Sequence, residues 1–221
     1  MTYVLIPGAG CTPWHWHPLT AELQARGQEV VAVDLPCDDE TAGLSRYCEE
    51  VVTAVGRRTD LVVVAHSLGG FTAPAVCERL PVDLMVFVAA MIPSPREAVS
   101  DYWGHTDYAW DGDPESDYFF QDLPRELADE ARRQLRTQAG RPMSDPALFE
   151  HWPETPVRAV IATEDLMFPA DYLRKLTTDR LGFAPDELPG GHFPMLGQAG
   201  ALAELLEAYR RGVPAAEPTL A

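Results

Sequence analysis

The chain has 221 residues, 46% of them hydrophobic and 23% charged, enough for one large folded unit with a sizeable core. Its 17 Lys and Arg stand against 34 Asp and Glu, a net charge of −17 that repels nucleic-acid phosphates and anionic lipid and argues against a role on either. No stretch approaches the roughly 18–20 apolar residues of a membrane span; Cys11, Cys37, Cys48 and Cys77 form no C-x-x-C pair, so no zinc ribbon or redox dithiol is expected and reduced thiols in a cytoplasmic protein fit best.

In chain order, MTYVLIPGAG has no basic start and turns at Pro7-Gly8, so residues 3–6 are expected to be a first strand, not a signal peptide. A glycine-bearing loop, PGAGCTPW, leads into a helix over 14–26. Strand 29–34, helix 44–58 and strand 60–66 follow, then helix 68–79 and strand 83–90. From Pro93 to about Pro156 the alternation breaks. This stretch is rich in prolines and aromatics (DYWGHTDYAW, SDYFFQDLP), with one helical run over 124–138 and no convincing strand. A structureless loop of that length is uncommon in a compact domain, so it is expected to be a helical insertion or lid, 93–156, within a single domain spanning 1–221. Strand 157–163, helix 172–180, a weak strand near APDEL and helix 199–210 close the pattern, and an Ala/Pro-rich tail follows Gly212. The strands are continuously apolar, as burial on both faces requires. The expectation is an α/β fold: a mostly parallel, doubly wound sheet of about six strands covered by helices.

Ser67 stands between strand 60–66 and helix 68–79, at the carboxyl edge where such sheets place their ligands. A sharp strand-to-helix turn needs small residues two before and two after its central residue, and these are Ala65 and Gly69. The pattern is a G-x-S-x-G elbow with alanine in the first small position. A serine capping a helix would also account for Ser67 alone; its partners decide.

A hydroxyl at neutral pH needs an imidazole to take its proton and a carboxylate to orient that imidazole. In one known arrangement the acid and then the histidine follow the serine. Glu164 and Asp165 come just after the apolar run 157–163, and Asp165 is taken as the acid with Glu164 as runner-up. His192 lies in the glycine-rich turn LPGGHFPML after the weak strand. Asp165 could instead cap the next helix, and His192 could be a packed core residue. The conjunction argues otherwise, because all three follow strands in the required order. Among the other histidines, His66 points into the elbow, His105 and His151 belong to the insertion, and His15 and His17 are expected at surface helix positions. Their H-x-H lacks the neighbouring ligands a metal would need. An oxyanion hole needs two backbone N–H groups. One is expected from Leu68, after the nucleophile, where the helix dipole helps, and the other from the loop PGAGCTPW.

These residues resemble the α/β-hydrolase superfamily, and more narrowly its small branch of plant methyl-salicylate esterases, hydroxynitrile lyases and bacterial esterase-like relatives. YVLIPGAGCTPWHW is similar to that branch's HGxxxxxWxW loop, and AHSLGG, VFVAAMIP, TEDLMFP and GGHFPML extend the likeness to nearly every strand. The resemblance implies that Ala9 supplies the second oxyanion donor, with Pro7 replacing the family histidine. Lyase members carry threonine in the loop and a lysine after the catalytic histidine; here Gly8 and Phe193 occupy those positions, which favours esterase-like hydrolysis. Serine at the elbow excludes the dehalogenase branch. The expected protein is a carboxylesterase-like serine hydrolase without cofactor or metal, acting on a small apolar ester or thioester, with a homodimer allowed for. Trp103, Trp110, Phe119 and Phe120 would wall an apolar pocket. The alternatives are a small-ligand-binding protein with little turnover, or a lyase of the hydroxynitrile type.

Overall fold

The computed structural model describes residues 1–106, 108 and 117–212; Trp110 and the tail after Gly212 lie outside the described residues. Six strands form one parallel sheet: β1 (Thr2–Ile6), β2 (Glu29–Ala32), β3 (Leu61–His66), β4 (Val82–Val88), β5 (Val157–Ala162) and β6 (Asp186–Leu188), in the order β2-β1-β3-β4-β5-β6. The chain steps outward from β1 to β2 and then returns to build on the other side, so the crevice between β1 and β3 is the topological switch point.

The four inner strands, β1, β3, β4 and β5, are largely apolar without alternation because both of their faces are covered. Val4, Ile6, Val63, Ala65, Met85 and Phe87 face one core, which includes residues of α2 (Leu44–Val55), α3 (Ala73–Arg79) and α6 (Ala170–Leu181). Tyr3, Leu5, Val62, Val64, Val86 and Val88 face the other, built with α1 (His17–Ala25) and α8 (Ala199–Arg210). Each fully buried Val or Leu contributes about 1.5–3 kcal/mol relative to exposure, so a slip of any central strand by one residue would exchange its two faces between two differently shaped cores.

Two predicted helices are subdivided. Residues 13–16 and 67–71 form 3₁₀ turns ahead of α1 and α3. The segment between β4 and β5 contains α4 (Val99–His105), α5 (Arg125–Arg133), a 3₁₀ turn at Arg141–Ser144 and, among the described residues, no strand. The expected helix over 124–138 ends at Arg133: the N–H groups of Arg136 and Ala139 donate to Gly10 (2.8 Å) and Cys37 (2.6 Å) rather than up a helix. A short α7 (Pro194–Gly197) follows the histidine turn. No helix among the described residues is long and apolar enough to cross a membrane.

Candidate active site

β3 stays extended through His66 (φ −105°, ψ 137°), and Ser67 then turns into the left-handed region at φ 51°. Such a conformation costs a non-glycine residue on the order of 1–3 kcal/mol and persists only where its surroundings enforce it. Here the Ser67 carbonyl accepts a hydrogen bond from Met91 N–H at 3.0 Å, and the following glycines let the 3₁₀ turn drop onto neighbouring backbone. A Cβ on Gly69 would lie 2.7 Å from the Pro7 carbonyl oxygen, and one on Gly70 would lie 1.9 Å from that of Met91. Ala65 and Gly69 were legible as the small residues of an elbow; Gly70 is the tighter contact.

Ser67, His192 and Asp165 meet. The Asp165 carboxylate, buried at 3% exposure, accepts from Met167 and Phe168 N–H at 2.8 and 2.9 Å through Oδ1. This fixes its other oxygen, Oδ2, 2.8 Å from His192 Nδ1. With the proton on Nδ1, Nε2 turns its lone pair to Ser67 Oγ at 3.1 Å. Glu164 is exposed and its side chain takes no part.

The serine opens into a cavity of about 130 Å³ whose walls include Met91, Trp103, Phe119, Met143, Met167 and Phe168. Ala9 and Leu68 line the cavity together with Ser67. Ala9 N–H has no hydrogen-bond partner within the described residues, which leaves it free for a ligand oxygen. Phe120 stands back from the cavity and packs on Phe193, ring centres 4.7 Å apart. Phe193 itself is buried against His66 and lines the cavity, and among the described residues no lysine or arginine does so.

Two further groups on the lining are held uncharged. Burial pushes His66 well below the ordinary histidine value, and its Nε2–H donates to the His192 carbonyl at 2.9 Å, anchoring the histidine turn from beneath. Burial pushes the Cys11 thiol up to about 12, so it offers no thiolate to compete with the serine. His15 corrects an expectation: it is fully buried rather than at the surface, its Nδ1 accepting from Thr12 N–H at 3.1 Å and its Nε2 donating to the Ala131 carbonyl of α5 at 3.1 Å. Its partner lies 116 residues away, beyond any local reading. His17 is exposed, and no group of three or more potential metal ligands occurs among the described residues.

Residues 121 and 122 were not legible as site residues. Gln121 Nε2 donates to the Glu164 carbonyl at 2.9 Å, on the acid's loop, while Asp122 Oδ2 accepts from Gly191 N–H at 2.8 Å, on the histidine's turn. The Gly190-Gly191 pair was the available signal, since a Cβ on Gly191 would fall 2.6 Å from Asp122 Oδ1.

An elbow serine, an acid after β5 and a histidine after β6, all at the carboxyl edge of a parallel sheet, define a hydrolase-type α/β fold. Residues 3–205 match the alpha/beta hydrolase family, and the chain belongs to it. It is 36% identical to Methylesterase 7 of Arabidopsis thaliana over 104 residues, 41% of this chain and 40% of that protein. It is 30% identical to norfluorocurarine synthase 2 of a Strychnos species over 120 residues, 49% of this chain and 45% of that one. The matched region thus spans less than half the length of either relative. In three dimensions the chain superposes on polyneuridine aldehyde esterase with a TM-score of 0.80 at 21% identity, covering 94% of this chain and 98% of that one.

Proposed function

We propose that the protein is a serine esterase that cleaves small, uncharged carboxylic esters through an acyl-enzyme. The observation that supports this above all is the unbroken hydrogen-bond chain from Asp165 through His192 to Ser67, ending at an apolar cavity. Ser67 Oγ attacks the ester carbonyl carbon as His192 Nε2 takes its proton, and the N–H groups of Ala9 and Leu68 stabilise the oxyanion that forms. Collapse breaks the carbon–oxygen bond, and the alcohol leaves with the proton from His192. Water then attacks the acyl-enzyme with the same assistance and releases the acid. Asp165 holds the imidazole in the required tautomer and stabilises it when it is charged.

A lining with no lysine, arginine or carboxylate side chain among the described residues favours an uncharged substrate, and an ester is favoured over a coenzyme thioester because a net charge of −17 opposes a phosphorylated carrier. The relative named for methyl esters directs the first assay to a methyl ester. Four buried free thiols fit a reducing, cytoplasmic setting. Lyase chemistry is disfavoured by Phe193, which can place no charge beside a departing cyanide, and by Gly8, where a Cβ would lie 2.8 Å from that of Ser67.

The test compares the wild type with Ser67→Ala on short p-nitrophenyl and methyl esters, with mandelonitrile alongside. A fluorophosphonate should label the wild type at Ser67, and the variant should lose about 10³–10⁶ in turnover while remaining folded. Full activity in folded Ser67→Ala, or cyanide release faster than ester hydrolysis, would remove the esterase reading. Absence of both labelling and turnover would favour a ligand-binding role.

A further inference from the structure

The oxyanion turn is not self-supporting. It closes with one bond, Cys11 N–H to the Gly8 carbonyl at 3.2 Å, and its third residue, Gly10, takes φ 67°, the left-handed position that a type II turn reserves for glycine. Both backbone polar groups of Gly10 are instead bound by the segment after α5: its carbonyl accepts from Arg136 N–H at 2.8 Å, and its N–H donates to Gln138 Oε1 at 3.1 Å. The fit is close enough that a Cβ on Gly10 would lie 2.5 Å from the Arg136 carbonyl oxygen.

Both ends of the Gln138 amide are engaged. While its oxygen takes Gly10 N–H, its nitrogen donates to Tyr47 Oη of α2 at 3.0 Å and to the Ala139 carbonyl at 3.1 Å, which fixes which end of the amide faces the turn. The segment is itself moored, with Ala139 N–H on the Cys37 carbonyl at 2.6 Å and the Arg136 guanidinium on the Leu35 carbonyl at 2.8 Å. Gln138 does not line the cavity.

We infer that Gln138 is a positioning residue for the oxyanion hole: by holding Gly10 N–H away from the site it sets the peptide geometry that leaves Ala9 N–H aimed at the developing oxyanion. The inference rests on the esterase reading and adds to it a residue far from the serine in sequence. Donors of this kind are effective because they are oriented before the reaction begins. Loosening the turn should therefore weaken transition-state binding more than substrate binding.

The experiment uses the full chain in three forms: wild type, Gln138→Met, which keeps length but has no hydrogen-bonding end, and Gln138→Glu, which restores an acceptor for Gly10 N–H. Each is checked for folding by near-ultraviolet circular dichroism. Gln138→Met should lower kcat on a p-nitrophenyl ester by about 10- to 100-fold with KM within about twofold. Its affinity for a trifluoromethyl ketone, which adds Ser67 to mimic the tetrahedral intermediate, should fall by the same factor as kcat/KM, and Gln138→Glu, which restores the acceptor for Gly10 N–H but loses the donor to the Ala139 carbonyl, should recover part of both. A folded Gln138→Met with unchanged kcat, or with its loss entirely in KM, overturns the inference while leaving a labelled, active wild type intact. A wild type that neither hydrolyses esters nor is labelled at Ser67 removes the esterase reading and this inference together. If Gln138→Met does not fold, Tyr47→Phe, which removes one anchor of the amide, should reduce kcat several-fold in the same pattern, and unchanged kinetics there overturn the inference equally.

Discussion

Asp165 and Glu164 are adjacent carboxylates in opposite surroundings, one buried and held by two backbone N–H groups, the other exposed. Asp165→Asn replaces the acceptor facing His192 Nδ1 with a group that can stabilise the wrong tautomer, and turnover should fall by about 10⁴; Glu164→Gln should leave it within about twofold. Steady-state kinetics on one ester checks both, and the reverse ranking would move the acid by one residue. That Ser67, Asp165 and His192 come together could be expected from the sequence because Ser67 follows β3 directly and the other two lie in the loops just after β5 and β6, so chain order and position agreed before any contact was known; their catalytic roles are the proposal made above. The proposal of Ala9 as the second donor rests on the family likeness, since several glycine-loop N–H groups are equivalent on paper. His15 was misplaced because an H-x-H after a proline reads as helix surface, whereas its environment is made by the distant α5.

At the scale of elements, the elbow works because backbone meets backbone where β3, its 3₁₀ turn and the end of β4 converge. Gly70→Ala would drive a methyl group into the Met91 carbonyl, whose N–H also holds the Ser67 turn. We expect a loss of about 1–3 kcal/mol or more in urea unfolding, together with reduced hydrolysis. Gly104→Ala in α4, where nothing lies within 4 Å, is the control and should be neutral or slightly stabilising. Equal stability of the two variants would contradict this account of the elbow. Strands were readable because burial on both faces leaves a continuous apolar signature. Residues 134–139 were not, because their helix-forming composition is overridden by bonds to Gly10 and Cys37, partners brought near only by the completed sheet. Three elements of the proposed site, the Asp165 loop, the His192 turn and the Gly8–Cys11 turn, are thus fastened by the segments on either side of α5.

For the molecule as a whole, acidification should reveal the buried histidines. Burial holds His66 and His15 below the ordinary value of 6.5, which the unfolded chain regains. Below that pH the unfolded state therefore binds protons that the folded state refuses, so this stability is complete above 6.5 and is lost as pH falls towards the lowered folded values. For His66, held well below its ordinary value, the slope approaches about 1.4 kcal/mol per pH unit; His15 adds in the same direction. Urea midpoints at pH 8, 7, 6 and 5 should decline in that window, and His66→Gln should flatten the decline; a flat wild-type profile would refute it. A second loss begins below about 4.5 at Glu97: burial pushes this carboxyl up, but hydrogen bonds from Arg180 and Ser94 outweigh burial and hold it below its usual value. The sheet has one more consequence. Its two outer strands, β2 and β6, have four and three residues, and they present Glu29 at one border and Asp186 and Glu187 at the other. Glu29 is paired with Arg58 and Glu187 with Arg174, and a brief border of charged, already partnered side chains is a poor template for an added strand. Such edges disfavour the addition of strands from a second copy, and so the growth of the parallel sheet into an intermolecular fibre.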